Sequence, residues 1–289
     1  IDSRYRLIAP LGTGSGSQVY LADDIRLRRQ VAVRVLRRTY ADDPLFLEEF
    51  RSEAQKATTL NHPNLVPIYD WGEQELPYVV TEYLSGGNLR NLVDTAGKIS
   101  SSQALLIGIE ITKGLEYAHK RGVTHLSLKP TNILFDFESN IRIAGFGISK
   151  TLASFSSTNA ETPRGQRYLS PEQINGRRID QRSDIYSLSC LLYESVARNQ
   201  SPNQPHDVDE VVPLSDRIES NLELFGSLAP PLRQASSEDP NERPNAGELL
   251  QLLINATSSQ SRPEPLSVST GLGLEKPIPL REDPILIDL

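Results

Sequence analysis

The hydrophobic positions in the first third of the chain fall into short runs. Each run is rich in Val, Ile, Leu and Tyr and is bounded by Gly, Asp or Pro. Such runs are typical of β-strands. The pattern predicts strands at 4–11, 18–22, 30–36, 65–71 and 78–83.

One helical pattern interrupts these strands, at 44–60. It begins with Pro44, and two acids, Glu48 and Glu49, follow in its first part. Proline at the start and acids near the N-terminus both favour a helix there. The apolar residues at helical spacing are Phe50, Ala54, Ala57 and Leu60.

Beyond about residue 88 the pattern is mainly helical. Capping serines precede one predicted helix, a second is mostly apolar and therefore buried, and a third closes the patterned region. Two short strands lie between the first and the second helix. The predicted helices are 102–120, 183–198 and 245–256, and the strands are 132–135 and 141–144.

The composition excludes several classes of protein. The 289 residues include 38% hydrophobic and 23% charged residues, with a net charge of −7. The acidic balance argues against nucleic-acid binding. One cysteine excludes a disulfide framework and a four-cysteine zinc site. No apolar run reaches the ~18–20 residues of a membrane span.

Both ends of the chain bear on its organisation. Residues 257–289 are rich in Ser, Pro and Gly, which predicts a flexible tail or linker. The chain contains no methionine. We therefore expect it to be a piece of a longer product.

A glycine-rich segment, Leu11-Gly-Thr-Gly-Ser-Gly-Ser-Gln-Val19, lies between the first two predicted strands. Backbone N–H groups in such a turn can approach a phosphate, but a flexible hairpin turn would have the same composition. No helix follows, which argues against a dinucleotide-binding unit.

Six further motifs follow in order. They are Val31-Ala-Val-Arg34, Glu53, His125-Leu-Ser-Leu-Lys-Pro-Thr-Asn132 with Gly145-Phe-Gly147, Ser170-Pro-Glu172, Asp184 and Arg243. Their order and spacing resemble the eukaryotic-type Ser/Thr protein kinases, particularly the bacterial membrane-anchored branch. The resemblance covers residues 4–255. It implies an α+β, bilobal protein-kinase-like fold, with a mainly β N-lobe at 1–84, a mainly α C-lobe at 85–256 and the tail at 257–289.

Three positions that carry charge in this family are altered here. By resemblance, Arg34 stands at the strand lysine, Ser127 at the catalytic-loop base and Gly145 at the metal-binding aspartate. Losing a general base costs about 10²–10⁴-fold, and losing metal stabilisation removes several kcal/mol more. Asn132 alone is a poor Mg²⁺ site. Arg34 keeps its charge and is expected to remain able to pair with Glu53.

These changes predict a pseudokinase: no enzyme, no intact catalytic residue, no metal and no required cofactor. Further departures at Leu126, Gln166 and Ser189 favour natural drift over a single engineered change. Two alternatives remain open. One is a kinase of weak or unconventional activity, with Asp136 or Glu138 as substitute groups. The other is a nucleotide-sensing switch that binds ATP weakly and without metal.

The resemblance also implies two further sets of residues, one that stabilises the domain and one that lines a vestigial nucleotide pocket. We expect the pocket to be empty or collapsed. The structural set is Glu53, His125, Lys129, Glu172, Asp184 and Arg243. The pocket set is Leu11, Gly12, Gly14, Val19, Ala32, Thr81, Glu82, Leu84, Asn132 and Leu134.

Partner binding is the function expected of such a domain. The partner would be an active kinase, a phosphothreonine-reading domain or an envelope or signalling protein. A solvated face balanced by nearby acids is the favoured explanation for the arginines between 26 and 38; a docking surface for an acidic partner or an N-lobe homodimer is the alternative. The hydroxyl-rich loop offers phosphorylation sites at Thr151, Ser154, Ser156, Ser157, Thr158 and Thr162.

Four other residues are given no chemical role. His62, His119 and His206 lack metal-ligand spacing, and Cys190 is predicted to be a small core residue. We expect a cytoplasmic location, either free or as the intracellular part of a longer membrane-anchored protein.

Overall fold

The structure, a computed structural model, describes residues 1–14, 16–155, 167–197 and 214–258. A five-stranded antiparallel sheet forms the first lobe, with strand order β1-β2-β3-β5-β4. The strands are β1 (Tyr5–Gly14), β2 (Ser17–Asp24), β3 (Arg29–Leu36), β4 (Ile68–Gly72) and β5 (Tyr78–Glu82).

The alternation of side chains along β3 determines which residues lie on each face of the sheet. Val31, Val33 and Val35 are buried in a cluster with residues of β1, β2 and β5. Because successive strand residues point to opposite faces, Ala32 and Arg34 face the other way. That second face is the one on which Leu36 packs against helix α2 (Pro44–Thr58).

Helix α2 packs against the sheet through aromatic residues. Asp43 caps it by accepting from the N–H groups of Leu45 and Phe46. Phe46 and Phe50 are fully buried beneath the sheet, and Phe50 meets Trp71 of β4 edge-on at 5.9 Å between ring centroids. The same packing directs Glu53, one turn later, into the interior.

The second lobe is helical and is built around α4 (Ser101–His119), which packs against the later helices. A two-stranded sheet, β6 (Ile133–Phe135) and β7 (Ile141–Ile143), lies beside α4. The other α-helices in the described residues are α1 (Arg38–Ala41), α3 (Leu89–Ala96), α5 (Ser149–Phe155), α6 (Pro171–Ile174), α7 (Arg182–Ala197), α8 (Leu214–Glu219), α9 (Leu222–Phe225), α10 (Ala229–Ala235) and α11 (Ala246–Thr257).

The connection between the lobes contains a close backbone approach at Gly86. Its N–H donates to the carbonyl of Phe135 at 3.0 Å. A Cβ at residue 86 would lie 2.5 Å from the carbonyl oxygen of Asp136 and 2.6 Å from that of Phe135. Only glycine fits here without movement of the backbone.

Replacing Gly86 with alanine is therefore expected to lower the free energy of unfolding by about 1–3 kcal/mol, the usual cost of overpacking. Urea denaturation measures the change. The matched control is Gly12→Ala, because a Cβ at that position would meet nothing within 4 Å. Equal stability of the two variants would contradict the prediction.

The predicted fold class is confirmed: the structure has an antiparallel-sheet lobe and a helical lobe. All seven predicted strands and four predicted helices are present, with ends that move by a few residues. The short helices α1, α3, α5, α6, α8, α9 and α10 were not predicted. Most of the tail, from residue 259 onward, lies outside the described residues.

Within the described ranges no helix is long and apolar enough to cross a membrane. Cys190 is only partly buried, at the edge of the helical core rather than inside it. Burial of its thiol raises its pKa to about 12.

Candidate active site

Asp184, at the start of α7, holds the loop that precedes β6. Its carboxylate accepts from the backbone N–H groups of His125 at 2.9 Å and Leu126 at 2.7 Å. His119 of α4 lies 2.8 Å away through Nε2. Burial alone would raise the pKa of this carboxyl, but the bond with His119 and the field of the histidines outweigh it, and the pKa is lowered. Asp184 is thus a buried anion that fixes a backbone conformation.

The loop conformation is strained at Leu126, which has a φ of 59°. Non-glycine residues in this region cost free energy and persist only where the surroundings hold them. Both backbone groups of Leu126 are held: the N–H by Asp184, and the carbonyl by the side-chain amide of Gln173 at 3.0 Å. The loop is therefore positioned from α7 and from α6.

His125 connects this loop to the segment after β7. Its Nδ1 accepts from the N–H of Ser127 at 3.2 Å, so its Nε2 carries the proton and donates to the carbonyl of Ala144 at 2.9 Å. Complete burial lowers the pKa of His125. The ring is therefore neutral, and its two hydrogen bonds join the loop to the segment after β7.

Ser127 stands half-buried at the position predicted for the base. The carbonyl of Ser127 accepts from the side-chain amide of Asn132 at 2.9 Å, which ties the two ends of the loop together. A serine hydroxyl is a far weaker base than a carboxylate. The loop therefore has the backbone contact that joins its two ends, but it lacks the negative charge that a carboxylate at residue 127 would supply.

Gly145 adopts a φ of +105° and has no side chain to offer a metal. Its carbonyl accepts from the hydroxyl of Ser149 at 2.8 Å. A Cβ built at Gly145 would lie 3.0 Å from that hydroxyl, 3.4 Å from Nε2 of His125 and 3.5 Å from the amide nitrogen of Asn132. Gly145 thus lies beside the side chains of His125, Asn132 and Ser149.

No carboxylate joins Asn132 at this point, and in the described residues no group of three or more His, Cys, Asp or Glu could hold a metal ion. Because Mg²⁺ prefers carboxylates and phosphates, the residues present do not fit a protein-held Mg²⁺ ion.

The expected pairing of Arg34 with Glu53 is wrong. Glu53 accepts from Lys150 at 2.8 Å and from Lys56 at 2.9 Å. Arg34 faces the cleft and has no ion pair with any described residue. Burial lowers the pKa of its guanidinium, and its charge in turn opposes protonation of His125. Lys150, which the sequence analysis did not consider, displaces Arg34 because α5 packs against α2.

Asp136, the suggested substitute for a catalytic carboxylate, has both carboxylate oxygens engaged by neighbouring N–H groups. Its Oδ1 accepts from the N–H groups of Glu138 and Asn140, and its Oδ2 from the Asn140 side chain. These bonds and the nearby Arg142 lower the pKa of Asp136 against the effect of burial. Asp136 thus shapes the β6–β7 turn. Glu138 accepts from Asn140 in the same turn.

Glu172 and Arg243 form a buried bidentate pair, with nitrogen–oxygen distances of 2.7 and 2.9 Å. The hydroxyl of Ser183 donates to the same carboxylate at 2.6 Å. Burial opposes ionisation of Glu172, yet the bonds from Arg243 and Ser183 bring its pKa down to about 2. The pair ties α6 to the chain preceding α11.

The residues predicted to form the nucleotide pocket lie on strands of the five-stranded sheet, just after β5, and at and just before β6. Val19 pairs with Arg34 across β2 and β3, and Ala32 pairs with Thr81 across β3 and β5. Glu82 turns its carboxylate toward Arg142 at 3.2 Å. Of the remaining residues, Leu11, Gly12 and Gly14 lie exposed on β1, Leu84 follows β5 half-buried, and Leu134 lies on β6.

Of the predicted phosphorylation sites, Thr151 is completely buried. The side chain of Ser154 and all of Ser156, Ser157, Thr158 and Thr162 lie outside the described residues, as do Gln166 and His206. His119 was given no role, yet it is a partner of Asp184. His119 lies shortly before the loop in the sequence, and this proximity was the signal from which its contact with Asp184 could have been predicted.

The protein kinase domain model matches residues 5–264, and the chain belongs to that family. It is 38% identical over 276 residues to the serine/threonine-protein kinase PknB of Mycobacterium leprae, covering 90% of this chain and 44% of that protein. It is 41% identical over 196 residues to PrkC of Bacillus subtilis, covering 67% of this chain and 30% of that protein. The chain therefore spans less than half the length of these curated relatives.

Among solved structures, the kinase domain of Mycobacterium tuberculosis PknI superposes with a TM-score of 0.69 at 24% identity. The match covers 88% of this chain and 96% of that one. At this identity the likeness shows the fold alone.

The relatives correct one expectation of the sequence analysis. Chains 38–43% identical to this one are named serine/threonine-protein kinases. They point to an enzyme, and the prediction that the domain is not one is wrong. The chain is a kinase domain homologous to PknB-type serine/threonine kinases.

Proposed function

We propose that the domain transfers the γ-phosphoryl group of ATP to serine or threonine hydroxyls slowly and by an unconventional arrangement. The observation that supports this best is the intact catalytic-loop frame. The Asp184 carboxylate accepts from the backbone N–H groups of His125 and Leu126. The side-chain amide of Asn132 donates to the carbonyl of Ser127. This frame keeps the backbone of the loop in one conformation, which is the positioning that phosphoryl transfer depends on.

Phosphoryl transfer asks the protein for positioning and charge stabilisation more than for covalent chemistry. Its transition state is loose, and catalysis is mainly positioning and electrostatic stabilisation. Positioning survives here in the loop, whereas the base is reduced to the hydroxyl of Ser127. We therefore expect a rate about 10²–10⁴-fold below that of a kinase with an aspartate at this position.

The nucleotide would be bound largely by the protein's own groups. The glycine-rich turn between β1 and β2 supplies backbone N–H groups, and Arg34 supplies a cation that no described carboxylate neutralises. A guanidinium can contact phosphate oxygens through two N–H groups. Because Gly145 provides no metal ligand, weak ATP binding without a protein-held metal is part of the proposal.

The test is incubation of the pure protein with radiolabelled ATP and a mixture of Ser- and Thr-containing peptides, with Mg²⁺, Mn²⁺ or EDTA in parallel. Phosphate incorporation above background is expected. Loss of incorporation in Asn132→Ala assigns the activity to this chain. Circular dichroism melting confirms that the variant is folded.

Incorporation at background level under all three conditions would overturn the proposal. Incorporation that Asn132→Ala leaves unchanged would do the same, because it would come from a contaminating kinase. The direct comparison of Mg²⁺ with EDTA decides whether metal bound to the nucleotide assists.

A further inference from the structure

A cavity of about 440 Å³ lies where the turn before β4, the helix α4 and the start of β7 meet. Cavities of this size are typical of small-molecule sites. None of its lining residues belongs to the catalytic loop or to the glycine-rich turn. Ile141 and Arg142 line it at the beginning of β7, whereas Gly145 follows the end of that strand. The cavity is therefore separate from the candidate active site.

The buried side chain of Asn64 joins the three walls of this cavity. Its amide donates to Oε2 of Glu110 on α4 at 2.9 Å and to the carbonyl of Ile141 on β7 at 3.0 Å. The backbone carbonyl of Asn64 accepts from the N–H of Ile143 at 2.8 Å. Because one buried residue bonds to all three segments, the cavity is formed before any ligand arrives.

Part of the cavity wall is apolar. Pro63, Leu106 and Ile141 line it, and the ring of His62 lies beside them. Burial lowers the pKa of His62, so the ring is neutral. Its Nδ1 accepts from the N–H of Asn64 at 3.1 Å. This wall suits the hydrocarbon part of a ligand.

Arg142 brings an unpartnered donor to the same cavity. Its Nη1 lies 3.2 Å from Glu82, and its Nη2 lies 3.5 Å from Asp136. Its Nε is buried and has no hydrogen-bond partner among the described residues. A buried donor in this state costs free energy, which an acceptor recovers. The Nε and a neighbouring Nη of a guanidinium match the two oxygens of a carboxylate.

Lys113 is the second cation of the wall. Its side chain is 42% exposed, and its ammonium pairs with Glu110 at 2.6 Å. An ammonium has three N–H donors, of which Glu110 takes one. Among the charged residues that line the cavity, Lys113 and Arg142 therefore outweigh Glu110 by one positive charge. A monoanion balances this charge, whereas Glu82 and Asp136, the partners of Arg142, oppose a dianion.

We propose that this cavity binds a small monocarboxylate with an apolar body. The carboxylate is held by Arg142, Lys113 contributes the second positive charge, and the hydrocarbon lies against Leu106 and Ile141. This binding does not depend on phosphoryl transfer, so it stands or falls independently of the proposed function.

The first experiment compares three six-carbon ligands on the isotope-labelled full chain: hexanoate, hexanol and hexylamine. Chemical shifts of the backbone amides in 139–142 are followed during titration. Hexanoate is expected to shift them saturably and to bind at least about tenfold more tightly than hexanol, the usual gain from a hydrogen bond to a charged group. Hexylamine is expected not to bind. No saturable shift with hexanoate, or equal affinities for hexanoate and hexanol, would overturn the proposal.

Two substitutions test the cations. Arg142→Lys keeps the charge and removes the Nε donor, and it is expected to weaken hexanoate binding about tenfold. Lys113→Gln removes the second charge and is expected to weaken it about threefold or more. Circular dichroism melting checks that each variant is folded. Hexanoate affinity that neither substitution changes would contradict the assigned contacts.

Lys120→Gln is the matched control for Lys113→Gln. Lys120 pairs with Glu116 on the same helix at 2.7 Å, but it is 68% exposed and does not line the cavity. Hexanoate affinity is expected to stay as in the parent. If Lys120→Gln weakens binding as much as Lys113→Gln does, the effect is one of general surface charge and the site is refuted.

Leu106→Phe tests the location independently of charge. The larger ring fills the apolar part of the cavity and is expected to weaken hexanoate binding about tenfold, while the amides in 139–142 keep the shifts of the unliganded parent. Binding as tight as in the parent would place hexanoate elsewhere on the molecule and overturn the assignment.

Two further ligands test the chemical class. Hexyl phosphate, whose head group carries about −1.5 to −2 charge at neutral pH, is expected to bind more weakly than hexanoate. A peptide with blocked ends that carries glutamate next to leucine presents the same carboxylate on a polypeptide. Tighter binding of either ligand than of hexanoate would overturn the assignment to a small monocarboxylate.

Discussion

Replacing Arg243 with methionine is expected to lower the free energy of unfolding by about 3–5 kcal/mol, because it leaves a buried carboxylate without its cation. Glu172 and Arg243 are each only 3% exposed, and they share two hydrogen bonds. Methionine preserves most of the apolar volume, so the loss reports on charge rather than on a cavity. Urea denaturation at neutral pH measures it.

The control is Arg233→Met. Arg233 pairs with Glu219 at 2.9 Å, but both side chains are more than half exposed. Exposed ion pairs contribute about 0–1 kcal/mol. A loss below 1 kcal/mol for Arg243→Met, or equal losses in the two variants, would contradict the prediction.

The same pair predicts how stability depends on pH. The pKa of Glu172 is about 2 in the folded protein, below its ordinary value of 4.5. A lowered carboxyl pKa contributes stability that is fully present above the ordinary value and disappears as pH falls toward 2. The parent should therefore lose stability across this interval more steeply than Arg243→Met.

Replacing Ser127 with aspartate is expected to raise the rate of phosphate incorporation about 10²–10⁴-fold, the usual contribution of a general base. The loop is already positioned by Asp184 and Asn132. Ser127 is half-buried, so there is access for a substrate hydroxyl. Initial rates with radiolabelled ATP measure the change.

Ser127→Asn is the control because it has the size of aspartate without the negative charge. It should leave the rate near that of the parent. A rise shared equally by both variants would assign the effect to side-chain size, and no rise in Ser127→Asp would show that the missing base does not limit the reaction.

Local patterns were sufficient for much of the fold. The strands around Val31 and Val79, and α2 with its proline start, depend on side-chain alternation and on residues at helix ends, which are visible in the sequence. The ordered motifs singled out His125, Asp184, Glu172 and Arg243, all of which are buried and hydrogen-bonded in the structure. A family resemblance can indicate such long-range contacts, whereas periodicity cannot.

The failures have a common physical origin. The partner of Glu53 is decided by packing of α5 on α2, and no local signal near Arg34 reveals that a lysine 116 positions later is nearer. The absence of an activity was inferred from three residues, although relatives of the whole domain are named kinases.

The backbone at Gly145 limits which side chains this position accepts. A φ of +105° is a conformation that glycine adopts freely and that residues with a Cβ rarely adopt. An aspartate here would strain residue 145 and crowd the Ser149 hydroxyl. Introducing a metal-binding carboxylate at this position therefore requires the backbone and the Ser149 side chain to shift, and a single substitution carries that conformational cost.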